Sequence, residues 1–408
     1  MTSHPFRPLR RRAVLLVWGA GVVSDIGTWM QMVVVGSLVA KETNSAIYTG
    51  ITALAFFAPQ GVCSPIGGLL ADRFERKKVF KWSLAGQFAA TLLLAAVLGS
   101  GHRNPFLLSS IIVLISAAGS FGQPSYQAML PDLVPREELM AMVSLGIYSW
   151  NAGRILGPVL GTLAASIVGP SWTIFINALS FAVMSIAVAL LRKNFYPTGE
   201  LHETILGQLK DGLRAVKRVA GVRYGISLIM GLNLFLAGFM GLIPIYAHVV
   251  FHGGRGLTGA FSAMQGIGAI VGSLAATIYV DKLGRSRMLA TSIAAASVAY
   301  GAYALAPNSA AALIVIPVLG ASVSAIFVTG MAIVQRDAPN SERGRVMSIT
   351  NMSMGTCYGV GILLLAIIGD VGNLRLAFGL GSIATAVAAL VATRLLPNWR
   401  AAVDGPLP

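Results

Sequence analysis

Charged side chains are scarce in this chain of 408 residues: Asp, Glu, Lys and Arg make up only 11% of it, against 55% hydrophobic residues. Soluble globular domains carry about 25% charged residues, so too few are present here to cover a water-exposed surface. Long stretches without charge dominate instead, as a bilayer requires of a spanning helix. The composition excludes an ordinary soluble domain and predicts an integral membrane protein.

Cysteine and histidine are also rare, with two and five residues. Cys63 and Cys357 lie far apart in apolar stretches with no second ligand at metal spacing, so we predict inert thiols and no metal site. The apolar stretches contain no cluster of nucleophile, acid and base, and the chain has no phosphate-binding P-loop. These absences argue against a membrane-embedded enzyme and against direct use of ATP, and we predict no cofactor.

Twelve apolar stretches are near or above the ~20 residues that a helix needs to cross about 30 Å of hydrocarbon. We number them spans 1 to 12. They cover residues 13–40, 47–70, 79–99, 106–130, 139–168, 171–191, 223–250, 257–280, 288–306, 310–334, 346–369 and 373–396. The predicted fold class is therefore an all-α polytopic membrane protein with both termini on one side.

Basic residues outnumber acidic ones, thirty against fifteen, but their placement argues against a nucleic-acid partner. Twenty-five fall on the side of the termini and only four, Lys41, Arg103, Arg255 and Arg375, on the other. Loops on the cytoplasmic side of membrane proteins carry such an excess. We predict that both termini are cytoplasmic and that the charge is an orientation signal for insertion into the lipid bilayer.

Two segments recur about 205 residues apart. The charged loop from Asp72 to Lys77 after span 2 is echoed 209 positions later, from Asp281 onward after span 8. A second echo has offsets of 204 or 205 and relates Asp132, Pro135, Glu138 and Ser144 to Asp337, Pro339, Glu342 and Ser348. Two echoes at nearly one offset indicate a duplicated unit of six spans. We predict an N-terminal bundle over residues 1–200, a linker over 201–222 and a C-terminal bundle over 223–408.

The linker has its own pattern between residues 204 and 220. Its apolar residues recur on one helical face and its basic residues lie elsewhere. This is typical of an amphipathic helix on the inner membrane surface. Because Gly207 and Gly212 weaken a helix, a disordered basic linker is the alternative.

The loop between spans 2 and 3 reads Gly68-Leu69-Leu70-Ala71-Asp72-Arg73-Phe74-Glu75-Arg76-Lys77. It resembles the loop 2-3 signature of the major facilitator superfamily, which usually has Gly where Glu75 stands. Segments 127–139, 153–161 and 342–348 are similar to the bacterial enterobactin exporter and to related drug and macrolide efflux proteins. A plain topology signal is the alternative interpretation of the loop.

The resemblance implies two pseudo-symmetric six-helix bundles that rock about a central cavity, as is the rule in that superfamily. It implies that Asp72 pairs with the start of span 11 when the cytoplasmic side is closed, and that Asp281 makes the symmetric contact near span 5. The gating residues expected on this basis are Gly68, Asp72, Arg73, Arg76, Lys77, Asp132, Arg136, Asp281, Lys282, Arg285, Arg343 and Arg345.

Span 5 carries a stripe of small residues: Gly153, Gly157 and Gly161, with Pro158 beside them. Glycines at i, i+4 and i+8 let another helix approach closely, and the proline interrupts one backbone hydrogen bond. The stripe resembles the span 5 motif of exporters that exchange substrate for protons, which implies close packing of spans 5 and 8. Ordinary helix packing is the alternative.

Only two charged residues lie deep inside spans, Asp25 in span 1 and Arg154 in span 5. A charge at mid-membrane costs ~2.5 kcal/mol or more, so such residues are functional candidates. We predict that the two form a proton-coupling pair, because an aspartate that loses and regains an arginine meets two very different environments. A static structural salt bridge is the alternative.

Aromatic and polar residues and one methionine are candidates for substrate contact in spans 1, 4, 7 and 10, which line the cavity in the family. They are Trp29, Met32, Gln123, Tyr126, Asn233, Phe239, Tyr246 and Phe327. Such walls suit bulky, amphipathic solutes, although each residue taken singly also fits plain packing.

Taken together, the patterns predict a secondary transporter in the bacterial cytoplasmic (inner) membrane. We predict a monomeric, proton-coupled exporter of a moderately hydrophobic small molecule, either a drug-like compound or a siderophore. An importer or a lipid transporter on the same fold is the alternative, because gating loops do not encode direction.

Overall fold

A computed structural model of the chain describes residues 6–196, 213–214, 216–339, 343–395 and 399–404. Twelve long helices follow the twelve predicted spans in order. They are α1 (Arg12–Thr43), α2 (Ala46–Arg73), α3 (Arg76–Gly99), α4 (Pro105–Met129), α5 (Leu139–Ile167), α6 (Gly169–Ala189), α7 (Ala220–Val250), α8 (Arg255–Leu283), α9 (Arg285–Leu305), α10 (Ser309–Asp337), α11 (Arg343–Val371) and α12 (Leu374–Leu395). A short α13 (Trp399–Asp404) follows them. The all-α polytopic fold is confirmed.

Among the described residues, eleven helices are long and apolar enough to cross a membrane. Helix α5 is not one of the eleven, although it runs unbroken for 29 residues over the fifth predicted span. The predicted amphipathic linker helix, residues 204–220, falls largely outside the described residues.

Local sequence signals set several helix ends. The Asn104 side chain accepts hydrogen bonds from the amides of Phe106 (2.9 Å) and Leu107 (3.3 Å), which caps the start of α4 beside a proline at its first position. At the start of α10 the Asn308 side chain accepts from the Ala311 amide in the same way, at 2.9 Å.

The two echoed loops turn differently. Gly284 alone separates α8 from α9 and has φ of 81°, a conformation that glycine adopts without steric cost. The matching position in the first half is Glu75, with φ of −57°, and two residues, Phe74 and Glu75, separate α2 from α3. The replacement of glycine by Glu75 therefore leaves the connection short but gives it another geometry.

Helix α7 is irregular. Residues Leu232–Ala237 and Tyr246–Val250 are π-helical, and Pro244 lies inside the helix between them. Asn233 lies in the first of these segments, and its side chain donates to the Ile229 carbonyl in the preceding turn at 2.8 Å. Such π-helical turns occur often at functional sites.

The chain forms two compact units, and α2 belongs to both. The first unit comprises Met1–Glu42 and Ala58–Glu203, and the second comprises Thr43–Phe57 and Thr204–Pro408. The first turns of α2 thus pack within the second unit, whereas the rest of the helix packs within the first.

Backbone contact at glycines holds the helices of each unit together, as is common in membranes, where burial from water does not drive helix association. In the first unit, a Cβ on Gly67 of α2 would lie 2.5 Å from the Phe121 carbonyl oxygen of α4. In the second, a Cβ on Gly272 of α8 would lie 1.9 Å from the Ala321 carbonyl oxygen of α10. The two glycines are 205 positions apart. The duplicated halves therefore share this close contact, between α2 and α4 in one and between α8 and α10 in the other.

Candidate functional site

Three polar side chains from α1, α4 and α5 meet in the first unit, and we call Asp25, Tyr126 and Ser149 the polar cluster. Asp25 lies near the middle of α1, and the Ser149 hydroxyl donates a hydrogen bond to its Oδ2. Gly21 lies one helical turn before Asp25, and a Cβ there would be 3.4 Å from the Tyr126 hydroxyl oxygen. Residues i and i+4 share a helix face, so the cluster occupies one face of α1.

Trp29, one turn beyond Asp25, continues this face with an aromatic wall. Its ring packs edge-on against Trp150, with centroids 5.4 Å apart, and the Arg154 guanidinium carbon lies 6.0 Å from its centroid. The Trp29 indole nitrogen is buried and has no hydrogen-bond partner within the part of the chain that the structure describes. A cation over an indole face is attracted by the ring quadrupole, so Arg154 is positioned along the contact between α1 and α5.

The glycine stripe of α5 lies against α1. A Cβ on Gly153 would be 2.8 Å from the Asp25 carbonyl carbon, one on Gly157 would be 2.5 Å from the Trp29 Cβ, and one on Gly161 would be 2.8 Å from the Met30 Cα. The expected close helix contact at these glycines is made by α1, and the packing of span 5 against span 8 stays a prediction. Pro158 is buried within α5, which continues through it.

The other proposed cavity residues of the first unit lie in α1 and α4. Met32 is half-buried and Gln123 is exposed. The Tyr126 ring stacks on Phe80, with centroids 4.9 Å apart, so Tyr126 joins the polar cluster to the apolar core of the unit. In the second unit, Phe327 of α10 is half-buried and Asn233 of α7 is buried.

Phe239 and Tyr246, two of the predicted cavity residues, lie in an aromatic cluster of the second unit. Both are fully buried, and the Tyr246 hydroxyl donates to the Tyr303 carbonyl at 3.0 Å. Their rings pack with those of Tyr300, Tyr303 and Phe378 at centroid distances from 4.5 to 6.2 Å. Both side chains are fully buried among these rings in the second unit, and their part in a cavity wall stays a prediction.

The two basic residues that begin α3 bind helix ends of their own unit. The Lys77 ammonium donates to the carbonyls of Ala189 (3.2 Å) and Leu191 (2.5 Å) at the end of α6. Arg76 donates to the Ala128 carbonyl of α4 at 3.3 Å and lies 3.9 Å from the Asp132 carboxylate. Cations at helix C-termini satisfy unpaired carbonyls and complement the helix dipole, so these contacts stabilise the unit.

The other predicted gating residues of the two charged loops differ in how far they are exposed. A Cβ on Gly68 would meet nothing within 4 Å, so the glycine that permits a close helix crossing here is the preceding residue of α2, Gly67. Asp72 is half-buried, while Arg73 and Lys282 are exposed and Arg285 is half-buried. The predicted partners lie outside the described side chains: Arg136, Asp281, Arg343 and Arg345.

The family model of the Major Facilitator Superfamily matches residues 17–355 and 239–406. The chain belongs to this superfamily. Macrolide efflux protein A of Streptococcus pyogenes is 23% identical over 366 residues, which are 87% of this chain and 88% of that protein. The Staphyloferrin A transporter of Staphylococcus aureus is 23% identical over 375 residues, covering 88% and 90%. By their names, the first of these relatives exports macrolides and the second transports staphyloferrin A.

The fold of this superfamily is also found by comparison with solved structures. The nucleoside transporter NupG matches with a TM-score of 0.73 at 13% identity, over 94% of this chain and 99% of NupG. At that identity the likeness shows the fold alone. The family and the apolar helices together make the chain a multi-pass membrane transporter.

Sequence reasoning missed a neutral polar pair in the first unit of this superfamily member. The Asn177 amide of α6 donates to the Gln31 Oε1 of α1 at 2.8 Å, and both residues are buried. Gly27 makes room for the pair, since a Cβ there would lie 2.1 Å from the Asn177 Oδ1. The sequence signal for this pair is an uncharged amide inside an apolar run, which is weaker than that of a charged residue because an amide costs less to bury.

A buried acid at the start of α5 was also missed as a contact residue. Glu138 is 5% exposed and lies 3.3 Å from both Arg7 and Arg11, which precede α1. Its repeat in the sequence was visible, but its two partners lie more than a hundred residues earlier in the chain. In the second unit, Asp337 is similarly buried and pairs with Arg336.

Proposed function

We propose that this transporter is a proton-driven exporter of a moderately hydrophobic small molecule, either a drug-like compound or a siderophore. The observation that carries the proposal is Asp25, a carboxylate near the middle of an apolar helix that is bound by Ser149. A charge at that depth costs ~2.5 kcal/mol or more, so membrane-embedded acids are functional candidates by default.

The contacts of Asp25 suggest how proton uptake is coupled to a change of shape. A hydroxyl that donates to a carboxylate favours the ionised form, whereas desolvation favours the protonated form. Ser149 and Arg154 both belong to α5, and its glycine stripe lies directly on α1 beside Asp25. Movement of α5 along α1 therefore changes the groups around Asp25, which then binds or releases its proton.

The surroundings of Trp29 fit the substrate class. Trp29 and Trp150 supply broad apolar rings, Met32 adds an adaptable thioether, and Gln123 and Tyr126 add polar groups. Pockets for drug-sized ligands are mostly apolar, with a few polar groups that fix orientation. In the second unit, Asn233 and Phe327 are the residues that we propose for the same cavity.

The charged loops after α2 and α8 form the cytoplasmic gate in this proposal. Asp72 would cap the start of α11 when the cytoplasmic side closes, and Asp281 would make the matching contact near Arg136. A helix N-terminus favours a carboxylate by ~0.3–1 kcal/mol, which is small enough to be broken in each cycle. We propose further that the protein is a monomer of two six-helix bundles in the cytoplasmic membrane, with both termini in the cytoplasm.

Transport in cells tests the proposal. The intracellular accumulation of a panel of dyes, macrolides and siderophores is measured with and without the protein, and with and without a proton uncoupler. Export predicts lower accumulation of one class, and the uncoupler abolishes that difference. Higher accumulation in cells that carry the protein would instead identify an importer.

A further inference from the structure

The carboxylate of Asp370, at the end of α11, is bound by the beginning of α2 within the second unit. It accepts hydrogen bonds from the backbone amides of Ala46 (2.6 Å) and Ile47 (3.1 Å) and from the Ser45 hydroxyl (2.5 Å). The first amides of a helix have no partner inside it, and the helix dipole attracts a negative charge to that end. Asp370 therefore caps α2 from a residue 324 positions away from Ala46.

Small residues continue this contact along both helices. A Cβ on Gly369 would lie 3.4 Å from the Ala46 Cβ, and a Cβ on Gly50 would lie 3.0 Å from the Ala366 Cβ. Three turns below the cap, the Phe57 and Tyr358 rings pack edge-on with centroids 4.8 Å apart. The glycines and alanines near the cap allow the two helices to approach closely there.

The boundary between the two compact units falls within α2, just past this contact. Residues up to Phe57 belong to the second unit and residues from Ala58 to the first, and Pro59 and Pro65 lie inside the helix beyond the change. Proline removes a backbone hydrogen bond and permits bending. The first turns of α2 are thus joined to the rest of the helix at a point suited to a hinge.

We propose that Asp370 and the first turns of α2 form a latch that closes the transporter at the end opposite the basic loops and parts in every transport cycle. This inference rests on one part of the proposed function, namely that the two ends of the transporter open alternately. Helices α2 and α11 then carry one carboxylate each at their C-terminal ends, Asp72 and Asp370. Each is suited to cap the other helix, one at either face of the membrane.

Thiol labelling tests whether Asp370 holds the latch closed. Thr49 lies one turn below Ser45 and is 1% exposed, so a Thr49→Cys reporter in a background without Cys63 and Cys357 is protected while the latch is shut. Charge-assisted hydrogen bonds are the stronger ones, so Asp370→Asn should raise the rate of labelling by a membrane-impermeant maleimide on the order of tenfold. Ser45→Ala, which removes one of the three bonds, should raise it less.

Glu42→Gln is the matched control, because it removes an exposed carboxylate close to the same helix start. Labelling of this control should match that of the parent protein. Equal labelling rates in Asp370→Asn and Glu42→Gln would overturn the role of Asp370. The labelling experiment needs no substrate. It therefore tests whether Asp370 holds the latch closed even if no compound in the panel is exported.

A cross-link tests whether the latch parts during transport. Ala46→Cys and Gly369→Cys place two Cβ atoms about as close as a disulfide requires. Oxidation should stop transport, and a reductant should restore it, while either single cysteine variant is insensitive to the oxidant. Full transport by the cross-linked protein would show that this contact stays closed throughout the cycle and would overturn the proposal.

Discussion

The contact between α1 and α5 makes a quantitative prediction about Gly157. A Cβ at this position would lie 2.5 Å from the Trp29 Cβ and 2.8 Å from the Ile26 carbonyl oxygen, whereas ordinary contacts begin at 3.4 Å. Gly157→Ala therefore forces α1 and α5 apart by about 0.9 Å at the point where Trp29 packs. Inserting a methyl group into a packed contact costs about 1–3 kcal/mol.

Gly146 on the same helix is the matched control, since a Cβ there would meet nothing within 4 Å. Both substitutions gain about the same helix propensity, up to ~1 kcal/mol, so the difference between them isolates the steric cost. We expect Gly157→Ala to be about 1–3 kcal/mol less stable than Gly146→Ala.

Stability is measured as the unfolding midpoint in detergent, followed by labelling of the native cysteines with a thiol-reactive dye. Gly157→Leu adds far more volume at the same place, so its transport should fail or become leaky to protons. Equal midpoints for the two alanine variants, or a fully active and proton-tight Gly157→Leu protein, would refute the packing argument.

Two further predictions concern the loop after α2. Lys77→Met removes the cation that binds the carbonyls at the end of α6, and it should lower the free energy of unfolding by about 1 kcal/mol. The control is Lys78→Met: the Lys78 side chain is 73% exposed and pairs with Glu75, so this variant should change the unfolding midpoint less. Asp72→Asn should reduce transport and raise thiol accessibility from the cytoplasmic side while insertion stays normal; if transport and accessibility are both unchanged, the loop is only a topology signal.

Much of the fold was predictable because it depends on local properties of the sequence. Apolar length set the spans: the first was predicted over residues 13–40 and is observed as Arg12–Thr43. The glycine stripe in α5 was predictable as a close contact, because its spacing puts three glycines on one helix face, where another helix can approach closely.

The partners in those contacts were not predictable, since they depend on how the helices are arranged. Spacing shows that Gly157 meets a helix but does not distinguish α1 from α8. Likewise, Phe239 and Tyr246 have the composition of a cavity wall, yet neighbouring rings bury them. Asp370 was missed because its partners at the start of α2 are over 300 residues away in sequence and are mostly backbone amides, which leave no sequence signal.

The central claim, that Asp25 couples export to protons, is tested most directly by reconstituted transport under an imposed pH gradient. Asp25→Asn keeps the size of the side chain and removes its titration. We predict that this variant binds substrate and carries out downhill exchange but no longer concentrates substrate against its gradient. If Asp25→Asn still drives substrate uphill when a pH gradient is applied, Asp25 is not the coupling residue and the proposed mechanism is contradicted.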